Sequence, residues 1–232
     1  MKILAIDSSA ITASVAVSDG DKIIKNEFVN NGLTHSQTLL PMIKSVLKKA
    51  DLSLKDIDYF ALTNGPGSFT GVRIGVCAIK GLAFAGDKKC IGVSTLEAIA
   101  FNLANEDCIC VACMDARRNQ IYTATFDCGE GQLNRLTADE AVAIESIAQR
   151  INSYNKKVYL AGDGAKLSYS ILKQKCDNVY LPYDDKIYQN ACSVCILAGR
   201  KINTAQESGK LVPSYLRLSQ AQRELKKRRG EK

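Results

Sequence analysis

The sequence predicts the same order of secondary-structure elements twice, and this repeat constrains the fold of the chain more than any other feature. In the first half, apolar and alternating segments predict three strands between Lys2 and Val29. A helix over Ser36–Ala50 and further alternating strands and helices complete the order βββαβαβα. The second half, Cys108–Asn203, predicts that order again, with its first helix over Ala138–Asn152. A three-strand meander that feeds βαβ crossovers gives a mixed sheet with helices on its faces.

Turn residues also correspond between the two halves. Asp7 and Asp115 each end the first strand of a half, and Gly65 and Gly162 each open a glycine-containing turn after a later strand. Two mixed sheets of this kind indicate an α/β fold of the actin-like and Hsp70-like superfamily (ASKHA, ribonuclease H-like) with two subdomains. The predicted division is residues 1–104, residues 105–206 and a C-terminal segment 207–232 that holds a basic tail.

Length and composition fit a globular chain without a membrane span. The chain has 232 residues, of which 46% are hydrophobic and 24% are charged, enough for one large domain or two small ones. Arg73 and Lys80 interrupt the longest apolar stretch, Val72–Ala85, whereas a transmembrane helix needs about 20 apolar residues. Asp7 interrupts the first apolar run too early for the core of a signal peptide. We therefore expect a cytoplasmic protein with no membrane partner.

Basic residues are concentrated at the C-terminus. The net charge is +7, and the ten residues Arg223–Lys232 hold six basic and two acidic side chains, which leaves a nearly balanced body. Such a run either binds nucleic acid through its phosphates or forms a solvated helix end.

Nine cysteines and a single histidine, His35, limit the metal and nucleophile chemistry. The pairs Cys110/Cys113 and Cys192/Cys195 have the CxxC spacing from which four thiolates can bind zinc. One pair lies in a predicted buried strand and the other in a predicted helix, without the glycine turns of a zinc knuckle. Buried structural cysteines are therefore favoured over a zinc or redox site, and we expect no metal. His35 precedes a predicted helix, where it is either structural or a contact to a ligand or partner.

Two hairpin turns are the candidates for a nucleotide site. In actin-like proteins these turns bind phosphates through backbone N–H groups, which small residues leave accessible. The turn Asp7-Ser8-Ser9-Ala10 is small and hydroxylated, whereas Asp115-Ala116-Arg117-Arg118 is bulky and has no glycine. The pattern leaves open an intact ATPase site, a partial nucleotide site and a relic, or aspartates that only accept bonds in their own turns. The candidate residues are Asp7, Ser8, Ser9, Asp115, Gly162 and Gly164.

A glycine-rich helix start follows the fourth predicted strand. Gly65-Pro66-Gly67-Ser68 precedes a helix over Thr70–Ala85, which makes a generic anion site but lacks the Gly-Lys-Ser/Thr of a Walker A loop. Small residues recur on one stripe of this helix, although each glycine there costs about 1 kcal/mol relative to alanine. Such a stripe allows close approach of another backbone, either the protein's own sheet or a partner helix. Its members are Gly71, Gly75, Ala78, Leu82 and Ala85.

Several strings resemble the TsaB (YeaZ) family. The most specific is GPGSFTGVRIGV, from Gly65 to Val76. The others, in chain order, are ILAIDSS from Ile3, His35-Ser36 with LLPMI from Leu39, STLEA from Ser94, MDARR from Met114 with Ile121-Tyr122, and PSYLR from Pro213. Together they cover nearly the whole chain, whereas the cysteines and the basic tail lie outside the pattern.

The resemblance implies a bacterial subunit required to form N6-threonylcarbamoyladenosine at position 37 of tRNAs that read codons beginning with A. Such a subunit is non-catalytic, has no catalytic residue or cofactor of its own, and scaffolds and activates its catalytic paralogue, TsaD. A small ATPase, TsaE, joins the pair, and a separate synthase supplies threonylcarbamoyl-adenylate. ATP or ADP and the tRNA are expected to bind at the complex, and the subunit is expected to form a homodimer when alone.

The same resemblance places the pairing surface on the helices that correspond to Ser36–Ala50 and Thr70–Ala85. The interface residues expected there are Leu39, Leu40, Ile43, Gly71, Gly75, Ala78 and Leu82. Two other functions are weighed against this one. A stand-alone actin-like ATPase or small-molecule kinase is disfavoured by the bulky turn after Asp115, and a tRNA-binding module would use the basic tail.

Overall fold

Two six-stranded sheets form the framework of the molecule. The computed structural model describes residues 1–30, 32, 34–217 and 229. The first sheet consists of β1 (Lys2–Asp7), β2 (Ala13–Asp19), β3 (Lys22–Val29), β4 (Tyr59–Gly65), β5 (Lys89–Ser94) and β12 (Gln206–Glu207). The second consists of β6 (Cys108–Asp115), β7 (Gln120–Gly129), β8 (Gln132–Arg135), β9 (Glu140–Ala143), β10 (Val158–Ala161) and β11 (Val179–Tyr180).

The two sheets share one topology, which confirms the predicted duplication and the actin-like fold. In the first, β1 pairs antiparallel with β2 and parallel with β4, and β5 continues the parallel side. In the second, β6 pairs antiparallel with β7 and parallel with β10, and β11 continues the parallel side. The first strand of each half is therefore central and almost completely buried, which explains its continuous apolar sequence.

Helices cover both faces of the sheets. They are α1 (His35–Lys49), α2 (Phe69–Gly86), α3 (Thr95–Phe101), α4 (Ala148–Asn152), α5 (Ala165–Leu172), α6 (Asp184–Ile187) and α7 (Ala191–Arg200). Alternate residues of β1 serve the two faces of the first sheet: Leu4 and Ile6 pack with α1 and α2, and Ile3 and Ala5 pack with α7. We call the first sheet with α1, α2 and α7 the first lobe.

The second sheet has the same alternation. Cys110 and Ala112 of β6 pack with α3 on one face, and Ile109 and Val111 pack with Leu172 of α5 on the other. We call this sheet with α4 and α5 the second lobe. Helix α3 contacts both sheets and also α7, so α3 and α7 lie between the lobes.

The predicted helix over Ala138–Asn152 is wrong. Glu140–Ala143 is instead strand β9, which pairs antiparallel with β7, and a 3-10 turn over Ile144–Ile147 leads into the five-residue α4. The pairing of Val142 with Ile121 explains the difference, because β7 offers an unpaired edge there. Tertiary pairing therefore overrides the helical spacing of Ala141, Ile144 and Ile151.

Two late elements return to the first sheet. Helix α7, predicted as part of the second subdomain, packs on β1 and β2, and β12 pairs with β5 at the sheet edge. The division at residues 104 and 206 stays a prediction, since the chain crosses between the lobes more than once.

Helix α2 has 18 residues and is the only helix among the described residues that is long and apolar enough to cross a membrane by length and composition. A core helix passes the same test. Val72, Val76 and Ile79 of this helix pack in the core of the first sheet, and Arg73 and Lys80 lie on its other sides.

Candidate functional site

A cleft of about 430 Å³ lies where the two hairpin turns face each other. The first turn contributes Ser9, the second contributes Asp115 and Arg117, and Asp163 from the loop after β10 completes the polar lining. The remaining lining residues are Ala10, Ile11, Gly67, Ser68, Phe69, Thr70, Met114, Ala116 and Tyr122. The structure therefore brings the predicted Ser9 and Asp115 to one site, with Asp7 and Ser8 buried behind Ser9.

The first turn is held by contacts within the chain. The Asp7 carboxylate oxygen Oδ1 accepts bonds from the Ser9 amide (2.9 Å) and from the Ser9 hydroxyl (2.8 Å). Burial raises the pKa of Asp7 above its ordinary value, and the two Ser9 donors oppose that shift. The backbone N–H of Ser9 is thus already used by Asp7 and does not point to a ligand.

The N-terminus of α2 packs on the same turn. The Ser68 amide donates to the Ser9 carbonyl (2.7 Å), and the Ser8 hydroxyl donates to the Gly71 carbonyl (2.9 Å). A Cβ on Gly71 would lie 2.0 Å from the Ser8 carbonyl oxygen, and one on Gly75 would lie 2.5 Å from the Ser8 hydroxyl. The two glycines are therefore required for close packing of α2 on its own sheet.

The second turn has an unusual backbone. Arg117, Arg118 and Asn119 all have positive φ, at 65°, 58° and 54°. A left-handed conformation is unfavourable for side chains such as arginine, although asparagine tolerates it. The Arg117 amide donates to Asp115 Oδ1 (2.6 Å), so this aspartate also accepts a bond within its own turn.

The loop after β10 packs against the second turn through Gly162, Asp163 and Gly164. A Cβ on Gly162 would lie 2.1 Å from the Cys113 carbonyl oxygen, and one on Gly164 would lie 2.9 Å from the Asp115 amide nitrogen. Asp163 Oδ1 accepts bonds from Gln189 Nε2 (3.3 Å) and from the Asp115 amide (3.4 Å). Burial raises the pKa of Asp163 to about 6.

The two turns do not offer all of their backbone N–H groups to a nucleoside triphosphate. Such a ligand needs free backbone N–H groups in both turns. Here the Ser9 amide is bonded to Asp7, the Arg117 amide is bonded to Asp115, and arginine side chains follow Asp115. Whether the two turns hold an intact nucleotide site, a partial site or a relic stays a prediction.

His35 has a structural contact. Its Nε2–H donates to the Ala10 carbonyl (2.6 Å), so the ring ties the start of α1 to the first turn. The edge of the ring also lies 3.2 Å from the position that a Cβ on Gly71 would take. Of the two roles predicted for this histidine, the structure supports the structural one.

The CxxC pairs do not form a common site. Cys110 packs on the α3 side of β6 and Cys113 packs on the opposite side, as expected for strand positions three apart. Cys195 is buried between α7 and the first sheet, where its thiol lies 3.6 Å from the Ile3 carbonyl oxygen. Within the described ranges no three His, Cys, Asp or Glu side chains are placed to hold a metal ion.

Four of the predicted interface residues are buried within the chain, and the assignment of these residues to a partner surface stays a prediction. Leu39 and Ile43 of α1 belong to the core of the first sheet, and Gly71 and Gly75 pack on Ser8. The two glycines are buried because the stripe of small residues faces the protein's own turn. Leu40, which is 54% exposed, and the partly buried Ala78 and Leu82 remain available to a partner.

Comparisons with known proteins place most of the chain in one family. The family model of TsaD, tRNA N6-adenosine threonylcarbamoyltransferase, matches residues 30–224. The TsaB protein of Bacillus subtilis (strain 168), named for tRNA threonylcarbamoyladenosine biosynthesis, is 30% identical over 96% of this chain and 96% of its own. The chain belongs to the TsaB family.

Other TsaB (YeaZ) proteins support the assignment. The TsaB protein of Escherichia coli (strain K12) is 35% identical over 71% of this chain and 72% of its own. The solved structure of YeaZ from Pseudomonas aeruginosa superimposes with a TM-score of 0.79 at 26% identity, over 93% of this chain and 99% of its own. The match to the TsaD model confirms the predicted relation between TsaB proteins and TsaD as paralogues.

Sequence reasoning missed one group of contacts in this member of the TsaB family. The Phe69 ring stacks on Tyr215 with centroids 4.8 Å apart, and Arg73 Nε donates to the Tyr215 hydroxyl (2.8 Å). Arg217 reaches the second lobe, where its guanidinium donates to Gln120 Oε1 (2.8 Å). The strings GPGSFTGVRIGV and PSYLR contain Phe69, Arg73, Tyr215 and Arg217, but only as part of the resemblance. Asp163 was also missed, because nothing local shows that a turn aspartate becomes partly buried.

Proposed function

We propose that this chain is the TsaB-type subunit of the machinery that forms N6-threonylcarbamoyladenosine at position 37 of tRNA. The observation that carries the proposal is the match to the Bacillus subtilis TsaB protein along almost the full length of both chains. A stand-alone ATPase or small-molecule kinase is not favoured, because the hairpin turns are closed by their own contacts.

The proposed role is non-catalytic support of a TsaD-like paralogue. The cleft supports this role. In the two turns that correspond to phosphate-binding turns, Asp7 and Asp115 accept bonds from backbone amides, and the N-terminus of α2 packs on the first turn. A TsaE-like ATPase, ATP or ADP, and tRNA are proposed to join at the complex rather than at this chain alone. We propose that the protein acts in the cytoplasm.

The proposed pairing surface is the outward side of α2 with the adjoining residue Leu40 of α1. Cys77, Gly81 and Phe84 are exposed on α2, and Phe84 is 81% exposed. A Cβ on Gly81 would meet nothing within 4 Å, so this position faces open space. An exposed apolar surface with small residues allows a helix of another protein to approach closely. The paralogue is proposed as its partner, and a second copy of this chain takes that place when the paralogue is absent.

Reconstitution tests the proposal. A TsaD-type protein, a TsaE-type ATPase and the threonylcarbamoyl-adenylate synthase are incubated with unmodified tRNA, with or without this chain. Digested tRNA is then analysed by mass spectrometry for the modified nucleoside. We expect the nucleoside to form only when this chain is present. Equal formation without it would contradict the proposed requirement, and formation without the TsaD-type protein would contradict the non-catalytic role.

A further inference from the structure

Residues 207–217 run from the first lobe to the second, and we call them the strap. The strap begins at the edge of the first sheet, where Glu207 of β12 pairs with Lys89 of β5. Leu211 is fully buried in the core of the first sheet. Lys80 Nζ donates to the carbonyl oxygens of Gly209 (3.1 Å) and Leu211 (3.3 Å). This end is therefore anchored by burial and by backbone contacts.

The middle of the strap lies against the start of α2. The Ser214 amide donates to the Asn64 carbonyl (2.7 Å). A Cβ on Gly65 would lie 2.2 Å from the Ser214 carbonyl oxygen, and Gly65 has a φ of +127°, so glycine is required at this crossing. Tyr215 then stacks on Phe69 with an interplanar angle of 14°. Because Phe69 lines the cleft, this part of the strap runs along the cleft mouth.

The end of the strap contacts the second lobe. Leu216 packs against the core cluster that contains Tyr122 and Phe126. The Arg217 guanidinium donates to Gln120 Oε1 (2.8 Å) and to the Ala141 carbonyl (3.2 Å), and it lies 5.8 Å from the centre of the Tyr122 ring. Tyr122, like Phe69, lines the cleft.

We propose that the strap is a latch that holds the two lobes together across the cleft and sets how far the cleft opens. Five residues lie between Leu211 and Arg217, and the six steps between their Cα atoms span at most about 20 Å in a fully extended chain. Two lobes joined by short crossings move relative to each other unless an interface fixes them. The strap supplies such a fixed point at the mouth, while α3 and α7 lie between the sheets.

The contacts also indicate which end releases. The first-lobe end has a fully buried leucine and a strand pairing, whereas Leu216 and Arg217 at the second-lobe end are only partly buried. Separation of a fully buried apolar side chain from its core costs more than separation of partly buried ones. Opening of the cleft therefore begins with separation of Arg217 from Gln120 and Ala141.

Pulsed electron paramagnetic resonance on the full chain tests this latch. Spin labels are attached through a ketone amino acid introduced at Lys48 and at Lys173, which are exposed on the outer sides of the two lobes. This chemistry leaves the nine native cysteines unlabelled. The unchanged chain is expected to give one narrow distance distribution. In Arg217→Ala, the population at longer distances is expected to rise about tenfold, because two ordinary hydrogen bonds are lost.

Matched variants separate a latch from a general loss of stability. Gln120→Ala removes the acceptor from the opposite lobe and is expected to give the same longer distances as Arg217→Ala, and the double variant is expected to add little. Arg217→Lys keeps the charge, but one ammonium group replaces the two guanidinium nitrogens that each bond one oxygen, so its effect is expected to be intermediate. Arg135→Ala is the control, since Arg135 stacks on Phe126 and bonds Thr137 within the second lobe.

An unchanged distribution in both Arg217→Ala and Gln120→Ala would overturn the proposal. So would a broad distribution in the unchanged chain, or an Arg135→Ala effect equal to that of Arg217→Ala. Circular dichroism of each variant confirms that it is folded, and the milder Arg217→Lys decides the outcome if the alanine variant does not fold.

Discussion

At the scale of single residues, two carboxyl groups at the cleft have raised pKa values. Asp7 is buried behind the first turn, and Asp163 is partly buried beside the second turn and lines the cleft. In both, burial disfavours the charged form and raises the pKa. Ionisation of these two acidic groups therefore opposes folding. Acidic groups with raised pKa values are common at functional sites.

We predict that Asp163→Asn stabilises the protein near neutral pH. The pKa of Asp163 rises from 3.8 to about 6 on folding, so this group favours folding below pH 4 and loses that contribution as the pH rises through 6. Two pKa units correspond to about 3 kcal/mol, which is an upper limit for the gain at pH 8. Urea unfolding at pH 4 and pH 8 measures the difference, which should be present only at the higher pH.

Asp163→Ala serves as the control for that prediction. Alanine also removes the charge, but it leaves Gln189 and the Asp115 amide without their acceptor. A smaller gain at pH 8 than for Asp163→Asn is therefore expected. Equal stability of the unchanged protein and Asp163→Asn at both pH values would show that burial of this carboxyl has no cost.

At the scale of elements, two glycines of α2 provide a matched pair of tests. Gly75→Leu places a side chain against Ser8, so we predict a loss of several kcal/mol in unfolding free energy, as for other overpacked cores. Gly81→Leu meets open space and improves helix propensity, so we predict a gain of about 0.5–1 kcal/mol. Thermal unfolding of the two variants measures both effects.

Two substitutions at Gly81 test the pairing surface. Gly81→Leu is predicted to weaken binding to the TsaD-like paralogue at least tenfold without unfolding the chain, while Gly81→Ala, with its smaller side chain, retains most of it. Isothermal titration calorimetry provides the comparison. If Gly81→Leu binds as tightly as the unchanged chain, the outward side of α2 is not the interface.

Several elements could be predicted from the sequence because their signals are local. The continuous apolar run of β1 and the alternation in β2 and β3 depend on neighbours within a few residues. The face of α2 could not be assigned in this way, because a small-residue stripe suits the protein's own turn as well as a partner. Strand β9 and the Arg217 contact with Gln120 depend on residues far apart in the chain, which local periodicity does not show.

At the scale of the whole molecule, the remaining prediction is that the basic tail contacts tRNA on the assembled complex. Apart from Arg229, residues 218–232 lie outside the described part of the chain. Deleting Glu224–Lys232 removes five basic and two acidic residues. If about three of these cations contact phosphates of tRNA on the complex, the slope of log affinity against log salt should flatten by about 3.

Binding of tRNA to the assembled complex at several salt concentrations, with and without the tail, measures this slope. Discrimination between cognate and non-cognate tRNA should not change, because phosphate contacts position and base contacts specify. An unchanged slope would identify the tail as a solvated helix end, and lost discrimination would show that it contacts bases.

The placement of α7 has a consequence for synthesis on the ribosome. Ile3 and Ala5 are synthesised well before the helix that covers them, which contributes Val194, Cys195 and Ala198. During translation the first sheet therefore has one uncovered apolar face until α7 has emerged. Nascent chains of this protein would depend on a chaperone, or on the speed of elongation, to keep that face from aggregating before α7 arrives.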